Sequence, residues 1–103
     1  MGQSQLAIRD YDKALRLDPK SVLGYLTWGL ALNALDQHMQ AVENYDQAIN
    51  LSPDFTHAFI GRALAHASLG NEAEAQQDTD RAVELGANRE QMEARLTAIT
   101  EQR

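Results

Sequence analysis

The sequence predicts an all-α fold, an α-solenoid of antiparallel helix pairs about two and a half repeats long with a C-terminal capping helix. Three observations predict it. The first is a ladder with a period of 34 residues: Ala7, Ala41 and Ala75, then Ala14, Ala48 and Ala82, then Leu17, Leu51 and Leu85. Tyr11 with Tyr45 and Pro19 with Pro53 keep the same interval. Self-similarity at a fixed period marks a stacked array whose units bury their apolar faces only against their neighbours. The second is that apolar residues recur at three and four, as on a helix, and not at two. The third is punctuation. Asp18-Pro19 and Ser52-Pro53 end helices, because proline disfavours αR in the residue before it and has no N–H to donate.

These signals place helices near 3–17, 22–34, 38–51, 56–68, 72–85 and 89–102. Residues 1–21 supply the second helix of an incomplete first repeat, 22–55 a complete repeat, 56–87 a divergent one and 88–103 the cap. In the first complete unit Tyr25, Trp28, Gly29 and Leu32 form one stripe, and Ala41, Tyr45 and Ala48 form the facing one. Small residues let helix axes approach closely, so Gly29 is expected opposite Ala41 and Ala63 opposite Ala75. Gly70 serves the turn between the helices of the third unit. Gly2 and Asp36 hold the equivalent places, and aspartate also enters such turns.

The ends of the array differ. The N-terminal helix lacks its partner, which exposes parts of Leu6, Ala7 and Ile8. Two readings stand: the sequence is a piece of a longer array, or another chain or a swapped element covers that side. At the other end Asn88 is a good N-cap and Gln91 completes a capping-box pattern. Met92, Leu96 and Ile99 then form a narrow apolar stripe, as a terminal solvating helix needs.

Composition limits the function. The chain has 103 residues, one domain at most, with 23% charged residues and a net charge of −6. That sign argues against nucleic acid, whose phosphates need clustered Lys and Arg. Residues 36–84 hold only Arg62 and Arg81 against nine acids. There is no cysteine, no signal-peptide pattern and no apolar run long enough to span a membrane, which together fit the cytoplasm.

A search for chemistry finds little. His38 begins a helix and is expected in solvent, while His57 and His66 point about 180° apart on one helix. No serine has a nearby His and acid, and no glycine-rich phosphate loop exists. No catalytic residue, cofactor or metal is expected, and the chain reads as no enzyme. Arg62 and His66 lie on a stripe that should face inward. Arg62 either pairs with an acid such as Asp46 or Asp78 or anchors an acidic ligand. The pairing reading expects Arg62→Leu to raise stability and leave binding intact.

Tyr25, Gly29, Ala41, Tyr45, Ala48 and Pro53, followed by Phe59, Ala63, Ala75 and Ala82, carry a resemblance. The pattern is similar to the tetratricopeptide-repeat (TPR) family, whose unit has 34 residues. The third unit departs from it, with Arg62, His66, Thr79 and Ala87 where the family favours Leu, a large apolar residue, an aromatic and Pro. The resemblance implies a concave groove lined by first helices, here Leu23, Leu26, Leu30 and Asn33, then His57, Ile60, Leu64 and Ala67. The subfamily that grips chaperone C-terminal carboxylates uses Lys, Arg and Asn where this chain has Leu26, Leu30, Ile60 and Leu64. That activity is not expected. The expected function is a protein-interaction module holding a peptide or helix in an apolar groove. The alternative is self-assembly, with another copy covering the groove and the open N-terminal helix.

Overall fold

The computed structural model describes residues 21–102. Among them are five helices and no strand: α1 (Val22–Ala34), α2 (His38–Leu51), α3 (Thr56–Ser68), α4 (Glu72–Glu84) and α5 (Arg89–Gln102). The expected helix at 3–17, with Gly2, Leu6, Ala7 and Ile8, lies outside the described residues.

Local chemistry marks two of the helix starts and two of the turns. The Ser21 hydroxyl accepts a hydrogen bond from the Gly24 N–H at 3.0 Å and caps α1. Asn88 does the same for α5, its Oδ1 accepting from the Gln91 N–H at 2.9 Å. Asp36 and Gly70 both turn left-handed, at φ 61° and 83°. In each of these turns the next residue donates back into the helix: Gln37 N–H to Leu32 C=O and Asn71 N–H to His66 C=O, both at 2.8 Å. Aspartate thus makes the turn that glycine makes one repeat later, as its αL tolerance allows.

The helices pair as hairpins, α1 with α2 and α3 with α4, and α3 packs back onto α2. The chain is an all-α helical solenoid. Its centre is Tyr45, wholly buried on α2. A Cβ on Gly29 would come within 2.8 Å of the Tyr45 ring, and one on Gly61 within 2.4 Å. Both glycines are therefore seats for one aromatic ring. The three heavy atoms nearest such a Cβ on Gly29 all belong to the Tyr45 ring. Ala41, Ala63 and Ala75 are all buried.

A polar clasp fastens the second hairpin to the first. Arg62 on α3 donates two hydrogen bonds to Asp78 on α4 and one to Asp46 on α2, each at 2.8 Å. Its guanidinium also lies 5.6 Å from the Phe59 ring centroid, and that of Arg81 lies 5.9 Å from it. The bonds to Asp78 raise the Arg62 pKa above its ordinary value; burial opposes this and Asp46 adds to it. The paired reading of Arg62 is the one seen.

The terminal helix is seated less closely than a cap of the array should be. α5 rests mainly on α3 and touches α4 little. Met92 is buried, while Leu96 and Ile99 are only half-buried. One period earlier the seam between α2 and α3 has Val42 facing it and Ala65; here Gln76 and Ile99 stand in those places. A cleft of 530 Å³ lies here, lined by Gln76, Glu93, Leu96, Thr97, Thr100 and Glu101.

Candidate functional site

The first helices of the two hairpins, α1 and α3, lie side by side. Leu23, Leu26, Leu30 and Asn33 recur at three and four and so share one face of α1; His57, Ile60, Leu64 and Ala67 do the same on α3. Their exposure is uneven. Leu23 is 66% exposed and Leu30 51%, while Leu26, Ile60 and Leu64 are half-buried. His57 is exposed and packs edge-on against Phe55, with ring centroids 6.0 Å apart. Ala67 is buried and lines a second part of the α5 cleft with Leu96 and Thr100. It offers little to a ligand of the α1–α3 face.

Asn33 is already engaged. Its amide donates to the Tyr45 hydroxyl at 3.3 Å, and His38 Nδ1 lies 2.8 Å from its Oδ1. Asp36 Oδ1 stands 3.6 Å from the other His38 nitrogen. His38 is therefore the outer end of a polar chain running to the core, and its side chain is 19% exposed. The expectation of a solvent-exposed His38 is corrected: the turn at Asp36 folds the ring back onto α1. Burial pushes the Tyr45 phenol up to about 12, with Asn33 and then Arg95 pulling the other way.

The face has almost no charge. α1 carries no Asp, Glu, Lys, Arg or His, and the one arginine of α3 is Arg62, held by its two aspartates. Among the described residues no group of three or more His, Asp or Glu is placed to hold a metal ion. No described helix is long and apolar enough to cross a membrane.

The sequence reading missed a second exposed apolar feature. Met39 is 69% exposed and Leu69 37%, and two open depressions meet over them at the turn edge of the solenoid. A signal was present: Met39 stands where the ladder holds Gln5 and Ala73, so the scaffold asks for no large apolar residue there.

A profile of the tetratricopeptide repeat matches residues 1–21. The first TPR domain of Spaghetti (RPAP3), bound to the HSP90 peptide SRMEEVD, superposes with a TM-score of 0.87 at 26% identity. That match covers 98% of this chain and 80% of that one. Profile and fold alike are similar to those of tetratricopeptide-repeat proteins. MamA is similar at 28% identity and a TM-score of 0.78, over 81% of this chain and 48% of MamA, so the chain spans about half of MamA's length. The TPR2B domain of yeast Sti1, in complex with pHsp70, shares the fold at 23% identity and a TM-score of 0.83, over 99% of this chain and 86% of that one. No curated protein matches the sequence.

Proposed function

We propose that this chain is a non-catalytic interaction module that holds an apolar peptide or helix of another protein along Leu23, Leu26, Leu30, Ile60 and Leu64. The observation that carries it is the exposure of Leu23 and Leu30 on a helix without one charged residue. The similar Spaghetti TPR domain binds an HSP90 peptide, which supports the same general use here.

The ligand differs in chemistry from the acidic SRMEEVD bound by the Spaghetti domain. A carboxylate-rich peptide needs free cations, and α1 and α3 offer none. Affinity is modest. Fully burying a leucine contributes about 1.5–3 kcal/mol, but Leu26, Ile60 and Leu64 are already half-covered. Leu23 and Leu30, 66% and 51% exposed, together then supply roughly 2–4 kcal/mol. Association costs about 4–15 kcal/mol, so the ligand must add backbone hydrogen bonds or an aromatic anchor.

The test is capture of a cellular partner by wild type and by Leu23→Ser with Leu30→Ser. These side chains are exposed, so helicity and mass stay unchanged while capture is lost. Undiminished capture rejects the face. The pair is cleaner than Leu26→Glu with Ile60→Glu, whose partly buried positions also serve the core.

A further inference from the structure

We propose that the turn edge of the solenoid is a second docking site, and that it takes a short segment of another protein in which an aliphatic anchor is flanked by lysine or arginine. The floor is built from Met39 and Val42 on α2 and from His66 and Leu69 at the end of α3. Two depressions of 340 and 240 Å³ share Met39 and Leu69 and so form one continuous hollow. Exposed methionine suits such a place, because its flexible thioether adapts to differently shaped anchors.

The rim selects the charge. Asp36, with a side chain 93% exposed, borders one depression and the exposed Glu43 the other. No Lys or Arg occurs between Lys20 and Arg62, and Arg62 is bound to Asp46 and Asp78. The C-terminal ends of α1 and α3 meet the N-terminal ends of α2 and α4 at this edge, so helix dipoles largely cancel. The carboxylates set the sign of the field, which favours a cationic ligand.

The edge is also held in shape before anything binds. Asp36 and Gly70 are both locked left-handed, and the N–H groups after them are bonded into the helices. A preformed surface loses little conformational freedom on association. The uncharged α1–α3 face has none of this acidic rim, so the two surfaces suit different ligands.

The test uses the full chain and fluorescein-labelled peptides KKLLKK, KKSSKK and EELLEE, followed by fluorescence anisotropy. KKLLKK should bind at least about tenfold more tightly than either control. Met39→Ser with Leu69→Ser should remove that advantage with unchanged circular dichroism. Asp36→Asn with Glu43→Gln should flatten the loss of binding between roughly 50 and 200 mM salt. Leu23→Ser with Leu30→Ser should leave KKLLKK binding intact, which separates this site from the α1–α3 face. No binding of KKLLKK, equal binding of EELLEE, or full binding by the Met39 and Leu69 variant overturns the proposal. So does a dimer by light scattering that the same variant dissolves, which would make the edge a contact between copies.

Discussion

Tyr45 shows how one side chain dictates its neighbours. The ring is fully buried between Gly29 and Gly61, and any Cβ at Gly61 meets it within van der Waals distance. Gly61→Ala gains about 1 kcal/mol of helix propensity and loses more, since overpacking costs roughly 1–3 kcal/mol. Urea denaturation should show a net loss of stability, largely recovered by adding Tyr45→Leu. The same burial makes the fold sensitive to alkali. The phenol stands near 12 in the folded chain against about 10 in the unfolded one, so the native state keeps a proton that the unfolded state gives up. The contribution is complete below pH 10 and is lost as pH rises toward 12. It amounts to about 2–3 kcal/mol. Denaturation from pH 9 to 12 should fall more steeply for wild type than for Tyr45→Phe.

Between elements, the clasp at Arg62 reverses what the sequence led one to expect. Asp78 is 5% exposed, and it faces the guanidinium that neutralises it. Arg62→Leu leaves that carboxylate buried alone, a change that costs about 3–5 kcal/mol. Stability falls instead of rising. Arg62→Leu combined with Asp78→Leu should recover most of the loss, because an apolar pair of similar volume replaces a buried ion pair at little cost. Equal melting temperatures for the single and double variants would contradict this. At the terminal helix the ties are few: Met92 in the core, the Asn88 cap, and Arg89 donating to Asp80 at 3.0 Å. Hydrogen bonds from Gln76 and Arg89 hold the exposed Asp80 carboxyl below its ordinary range. Met92→Ala should speed amide hydrogen exchange through 89–102 while α1 to α4 keep their protection, since weakly packed elements open independently.

At the scale of the molecule, the five described helices were legible within a residue because Pro53 and the αL turns punctuate the repeat at fixed places. The loosely seated α5 was not. Gln76 is a polar residue on a polar helix, and its place in the α5 cleft shows only once α5 is set against α3 and α4. The leucines of the α1–α3 face were named by resemblance. Their unequal exposure depended on how closely the first helices lie together, which spacing does not encode. Met39 was overlooked because, in the polar first turn of α2, it joins no apolar stripe and shows only as a departure from the ladder.

That residue also gives the surface a chemistry of its own. Met39 is 69% exposed, whereas Met92 is 3% exposed in the core. Dilute hydrogen peroxide should therefore convert Met39 to its sulfoxide well before Met92, as peptide mass spectrometry over time would read directly. A sulfoxide is polar, so oxidation would make the most exposed part of the turn-edge floor polar while Val42 and Leu69 stay apolar and the packing of the solenoid is untouched. Methionine sulfoxide reductase would restore it, which makes this edge a surface whose character follows the oxidation state around it.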